Sequence, residues 1–402
     1  MTQPNTPSSG HVVIVGGGVA GLEALLALRA IGGDHIAVTL VSQDDRFVDR
    51  PMTVAEPFGL GPAARVLLPH ITAELGTEFV HGTVTEVDPA ERRVGLADGS
   101  HLAFDTLIIA TGARGRAPFP DAITFGLKGS GAAIREMLDR LRSSDGRGVV
   151  FVAPTMTGWL LPLYELALMT ARELARSNVN GVRLRLISPE DRPLALFGDR
   201  DSQRIARLMA AAEIEFVGAA FADADDGVSM NGARSEMGSD YVVTLPLLSG
   251  PGIAGVPATH PHGFIPVDEY GRVRGLADVY AAGDAVDFPV KQGGLAAQQA
   301  DAVAEHVAAR YGAAVELAPF RPVLRGMLFT GGEPVYMRSG APGADPEVPG
   351  AWCPLWWPPT KIAGRHLAPY LFAREDEGVG FGSPPVGFID VDIPLAAMTL
   401  PA

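Results

Sequence analysis

The chain has 402 residues, of which 47% are hydrophobic and 19% charged, with a formal net charge of −14. That length exceeds one ordinary hydrophobic core and implies two domains plus an extension. The acidic balance excludes nucleic acid as a partner, because phosphate binding needs a basic face, and it disfavours electrostatic docking on an anionic membrane.

Mean hydropathy is +0.18, yet no stretch approaches the roughly 20 uninterrupted apolar residues of a spanning helix, so no integral membrane segment is expected. Met1 to Gly10 is polar, without the basic and apolar regions of a secretory signal, and reads as a disordered leader. A single cysteine, Cys353, excludes an internal disulfide and fits a cytoplasmic protein.

The first element is the β-branched run His11-Val-Val-Ile-Val15, which predicts a buried parallel strand. It leads into Gly16-Gly17-Gly18-Val19-Ala20-Gly21, and helical apolar spacing follows from Leu22 to Ile31. Gly16, Gly18 and Gly21 thus form a dinucleotide fingerprint between a strand and a helix. The first glycine allows a tight turn, the second a close approach of pyrophosphate, and the third close packing of helix on strand. Ala20 lies within the same turn. The next strand, Ala37 to Val41, ends at Ser42, where such folds carry an acid for the adenosine ribose; Asp44 and Asp45 follow. Further on, Leu107-Ile-Ile-Ala-Thr111-Gly112 and Val279-Tyr-Ala-Ala-Gly283-Asp284 each read as a strand ending in a turn, the latter followed by a helix from about Gly294.

Together these three segments resemble the signatures of pyridine nucleotide–disulfide-type flavoproteins. Arg50-Pro51 and Lys291-Gln292-Gly293-Gly294 narrow the resemblance to sulfide:quinone oxidoreductases, flavocytochrome c sulfide dehydrogenases and type II NADH dehydrogenases. It covers roughly residues 10 to 325. The resemblance implies FAD as cofactor, with Asp284 accepting hydrogen bonds from the ribityl hydroxyls. Thr111, Gly112, Gly283, Gln292 and Gly293 would complete the binding segments. Lys291 is expected either near the flavin pyrimidine, where a cation stabilises negative charge on the ring, or in a solvated loop.

A second dinucleotide-type domain is expected to begin with the strand Gly148 to Val152 and a helix from Leu163 to Ala175. Between them, Ala153-Pro-Thr-Met-Thr-Gly-Trp-Leu-Leu-Pro162 keeps Gly158 alone of a glycine fingerprint. Pro154 and Pro162 remove N–H donors, and Trp159 is bulky where pyrophosphate needs bare backbone, so the loop is poorly suited to NAD(P). Glu190 nevertheless follows a strand, Val182 to Ile187, at a ribose-binding position. In the sulfide-oxidising relatives this loop carries a redox cysteine. Here a two-cysteine relay is excluded, and Cys353 is either a structural thiol or a single flavin-adduct thiol. Glu165 aligns with a glutamate near the flavin in several relatives. It reads either as a proton shuttle with Tyr164 beside it or as a first-turn residue held by the helix dipole. Late in the chain, Trp352, Trp356 and Trp357 lie within ten residues, as a substrate wall or as a packing cluster. Lys361, Arg365 and His366 follow, to hold an anion or face solvent. The acidic tail from Arg374 shows no amphipathic basic anchor.

The expected fold is α/β, with two Rossmann-like, three-layer ββα dinucleotide-binding domains, the second inserted in the first. The FAD domain spans 1–118 and 255–325, the inserted domain with its degenerate NAD(P) loop 119–254, and a C-terminal lid or interface region 326–402. The function expected is an FAD-dependent oxidoreductase joining a small-molecule donor to a second acceptor, quinone-like in character. Alternatives are an NAD(P)H dehydrogenase and a flavin-binding protein with a structural or sensing role. A homodimer is a candidate assembly.

Overall fold

A computed structural model describes residues 10–143, 148–155, 157–223, 227–230, 233–235, 241–338 and 354–374. Short β-branched runs make its first sheet, whose strands lie in the order Val279–Ala281, Thr106–Ile109, Gly10–Val15, Ile36–Ser42 and Glu78–His81. All four pairings are parallel, with Val12 opposite both Val38 and Thr106. Parallel strands must be covered on both faces. On one face the helices Val19–Gly32 and Gly293–Arg310 pack against each other, and the buried alanines Ala20, Ala24, Ala27, Ala297, Ala300 and Ala304 let them approach closely. The other face carries the antiparallel sheet Val84–Asp88, Arg93–Leu96 and His101–Ala103. Its Val87, Val94 and Leu96 share a core with Val13, Val15, Leu107 and Ile109.

A second parallel sheet runs Ile123–Thr124, Tyr241–Thr244, Gly148–Val152, Arg183–Ile187, Ile214–Val217. Two short antiparallel strands, Arg114–Arg116 and Leu247–Ser249, carry the chain out to it and back. Its helix Leu161–Arg176 starts two residues before the expected Leu163 and places Pro162 in the first turn. There the missing N–H has no intrahelical partner to lose, so Pro162 initiates the helix instead of merely stiffening a loop.

The hairpin Arg325–Leu328 and Val335–Arg338 follows. The stretch 354–374 then lies on the paired helices, where Ile362, Leu367 and Leu371 join Leu22, Leu25 and Ala300 in one core. Among the described residues no helix is long and apolar enough to cross a membrane.

Candidate functional site

The carboxyl ends of the first sheet, the loop 154–162 and parts of the C-terminal region surround a cleft of about 1990 Å³. The fingerprint turn lines it. Gly16 takes φ +116°, and a Cβ on Gly21 would stand 1.8 Å from the Gly16 carbonyl oxygen, so glycine alone permits this packing of helix on strand. A Cβ on Gly18 would meet nothing within 4 Å, which leaves bare backbone facing open space. The helix beginning at Val19 has no side-chain cap, and its first N–H groups and positive end are available to an anion. These features fit a pyrophosphate. At the next strand end, Ser42 Oγ accepts the Asp44 N–H at 3.2 Å, and Ser42, Asp44 and Asp45 all line the cleft.

Thr111, Gly112, Arg50 and Pro51 line the same cleft, with Gly112 at φ +72°. Gly283, at φ +76°, lies close to Ala20, where a Cβ would come 2.9 Å from the Ala20 methyl. The Asp284 carboxylate faces the cleft and has no hydrogen-bond partner among the described residues. Burial pushes its pKa up, and Lys291 and then Arg50 pull it back. A carboxylate near Lys291 and Arg50, with a second helix N-terminus close by in the chain, fits the hydroxylated chain of FAD. Gln292 is committed elsewhere, since its Oε1 caps that helix by accepting the Leu295 N–H at 2.8 Å. Gly293 stands against Pro51, with 3.4 Å from an added Cβ to Pro51 Cγ.

Lys291 is not a solvated loop lysine. Its ammonium donates to the Val286 carbonyl and lies 3.7 Å from the Phe264 ring centroid. Burial lowers its pKa to about 8, against Asp284 and Asp287.

Lys361, expected to hold an anion or face solvent, is buried against Glu165, a pairing that sequence reading did not find. Its Nζ lies 2.5 and 2.6 Å from the two carboxylate oxygens of Glu165, and the Phe329 N–H donates to the same carboxylate at 2.8 Å. Both side chains are buried, at 6% and 0% exposure, yet both lie on the cleft wall. Glu165 is the fifth residue of its helix, past the first turn, so a buried cation holds it rather than the helix dipole. Burial raises the Glu165 pKa and lowers that of Lys361, while their mutual attraction opposes both shifts. Burial thus draws the two proton affinities towards each other. A separation of 196 residues hides this pair from any local pattern.

Tyr164 does not accompany Glu165 into the cleft. Neighbours on a helix point about 100° apart, and Tyr164 turns to the second sheet, where its hydroxyl donates to Glu190 at 2.6 Å. Ser188 Oγ donates to the same Glu190 oxygen at 3.2 Å. Trp159 does line the cleft and meets Phe197 edge to face at 5.9 Å. Gly158 serves the packing of the loop against the flavin-side chain, because a Cβ there would fall 1.9 Å from the Pro289 carbonyl oxygen.

Trp356 and Trp357 are absent from the cleft wall. Trp356 packs edge to face on Tyr336 at 5.2 Å and donates its indole N–H to the Thr360 carbonyl, while Trp357 packs on Phe372. They are packing residues of the C-terminal stretch, not a substrate wall. Cys353 and Trp352 lie outside the described residues. Arg365 pairs with Glu305 at 2.6 Å.

A family model described as pyridine nucleotide-disulphide oxidoreductase matches residues 10–305. The oxidoreductase ptaL of Pestalotiopsis fici is 28% identical over 311 residues, which is 70% of this chain and 78% of that protein. The sulfide-quinone reductase of Aquifex aeolicus is 25% identical over 276 residues, 60% of this chain and 59% of its own. The solved structure of the sulfide:quinone oxidoreductase from Aquifex aeolicus superposes with a TM-score of 0.74 at 21% identity, covering 82% of this chain and 83% of that one. That likeness shows a common fold.

Proposed function

The chain belongs to the pyridine nucleotide-disulphide oxidoreductase family and is an FAD-dependent enzyme; on that premise we propose that it carries two electrons from a small non-nucleotide donor to a quinone-like acceptor. The observation that carries this reading is the buried Glu165–Lys361 pair on the cleft wall. Reduction of a quinone consumes two protons with its two electrons, and the pair, which holds one proton that Nζ or the carboxylate can give up, can pass on one of them before it is recharged. FAD, when bound, supplies the two-electron chemistry. Gly16, Gly18, Ala20 and Gly21 would hold its pyrophosphate, Asp284 its ribityl chain, and Lys291 would stand near its pyrimidine. Trp159, Leu161 and Met327 give the cleft an apolar wall suited to a flat acceptor.

Two features speak against nicotinamide as donor. Glu190, the residue at the ribose-reading position, is already taken by Tyr164 and Ser188. The loop that would cradle pyrophosphate is tied down at Gly158 against Pro289. Anaerobic titration with NADH and NADPH tests this: the flavin absorbance is expected to persist. The chemically reduced protein is then mixed with a short-chain quinone, and rapid return of the absorbance is expected. Bleaching at stoichiometric nicotinamide would replace the proposal with a dehydrogenase. Slow reoxidation by quinones would instead favour a sensing or structural flavin.

A further inference from the structure

Behind the cleft lies a second cluster of titratable groups that electron transfer does not use. Glu23, on the helix Val19–Gly32, is fully buried. Its two carboxylate oxygens accept the backbone N–H groups of His366 at 2.7 Å and Leu367 at 2.8 Å. The approach is close enough that a Cβ on Gly364 would stand 2.3 Å from Glu23 Oε2. Asp301, on the other helix, Gly293–Arg310, is 7% exposed and lies within side-chain hydrogen-bonding reach of Glu23. Asp301 Oδ1 and His366 Nε2 are both buried without a hydrogen-bond partner among the described residues, 3.9 Å apart.

We propose that Glu23 and Asp301 form a carboxylate–carboxylic acid latch that clamps the stretch 361–367 onto the two cofactor-facing helices and so positions Lys361 beside Glu165. The geometry links these parts tightly. Glu23 is the fifth residue of the helix whose N-terminus lines the phosphate end of the cleft. Asp301 stands eight residues, or about 12 Å, into the helix that begins at Gly293. Five residues separate Lys361 from Leu367, and among them Ile362 packs in the helix-pair core while its carbonyl would lie 2.7 Å from a Cβ on Gly294. Lys361 is therefore anchored by Glu165 at the cleft and by Glu23 through the following backbone. The role of Lys361 in proton supply rests on the function proposed above; the latch itself does not.

The latch needs one proton, because two adjacent buried carboxylates repel. The charged groups around it are Glu23 on the first helix, Asp301 and Glu305 on the second, and Arg365 and His366 on the clamped stretch. Burial, then Glu23, raises the Asp301 pKa to about 9, with Arg365 opposing and Glu305 adding to the rise. Burial lowers the pKa of His366, which therefore supplies little compensating charge near neutrality. With the folded pKa raised from 3.8 to about 9, the stabilising effect of the proton is complete below 3.8 and fades as pH rises through that window. Above about 9 the folded cluster ionises and the clamp opens.

Hydrogen exchange on the full-length, flavin-loaded protein tests the latch without turnover. Protection of the His366 and Leu367 amides should fall about tenfold or more between roughly pH 7 and pH 10 in the wild type. Asp301→Asn keeps a neutral donor beside Glu23 and should hold that protection within about twofold over the same range. Glu23→Gln, which retains one oxygen acceptor, should lose protection at every pH. If Glu23→Gln fails to fold, the Asp301→Asn comparison decides alone. Unchanged wild-type protection across the range, or an Asp301→Asn profile that follows the wild type, overturns the proposal. Quinone reoxidation measured on the same samples separates the two claims. Altered protection with an unaltered rate would retain the latch and reject the role of Lys361 in proton supply.

Discussion

Replacing Lys361 with methionine preserves the length of the side chain and removes its charge. Glu165 is then left fully buried, with the Phe329 N–H as its remaining donor. It responds by taking up a proton, since an unpaired buried anion is far more costly. Burial already lifts its pKa above the ordinary 4.5, against the pull of Lys361, and loss of that pull lifts it further. A raised folded pKa gives stability that is complete below the unfolded value and is lost as pH climbs towards the folded value. The deficit of Lys361→Met therefore opens near pH 4.5 and widens upwards. The slope of the deficit is at most about 1.4 kcal/mol per pH unit, the limit set by one proton. At neutral pH the deficit should approach the roughly 3–5 kcal/mol expected on breaking a buried ion pair. Urea unfolding of the flavin-loaded proteins at several values between about pH 5 and pH 7 measures it. The double variant Glu165→Gln/Lys361→Met should recover most of the deficit and lose its pH slope. A Lys361→Met deficit that is flat with pH, or absent at neutrality, refutes the reasoning.

Gly21→Ala puts a methyl 1.8 Å from the Gly16 carbonyl oxygen; the overpacking should destabilise by about 1–3 kcal/mol and strip flavin absorbance from the protein during gel filtration. Asp284→Asn removes the carboxylate proposed above for the ribityl hydroxyls, and titration calorimetry of the apoprotein should show FAD binding weakened about 10- to 150-fold, the equivalent of roughly 1.5–3 kcal/mol. Lys291 is charged below about 8 and neutral above it, so the absorbance of bound flavin should shift with a midpoint near that pH, and the step should vanish in Lys291→Met.

The cofactor end of the molecule was legible because its determinants are local. Gly16, Gly18 and Gly21 act through the few residues around them, and β-branched runs such as Gly148–Val152 form strands wherever both faces are covered. The Glu165–Lys361 pair was not legible. Glu165 could be singled out from its helix, but its partner lies on a stretch of backbone that only tertiary packing brings near. Tyr164 was misplaced because adjacency in sequence was taken for adjacency in space, whereas helix geometry separates it from Glu165. The tryptophans misled for another reason: stacking on a ligand and packing on Tyr336 or Phe372 demand the same residue type. Asp301 and Glu23 gave no signal either, since a buried acid pair looks in sequence like two ordinary charges on helices.

The ribbon that joins the two sheets has an architectural consequence. Arg116 lies directly opposite Leu247, so the intervening stretch leaves and re-enters the flavin-side unit through points one strand spacing apart, about 5 Å. A module with adjoining ends can be cut out and the gap sealed by a tight reverse turn, leaving the host sheet's connectivity undisturbed. The same property lets such a module be exchanged or remodelled as a cassette while its host is kept. The tie between cassette and host is then chemical as well as covalent, because Glu165 resides in the cassette and Lys361 in the host.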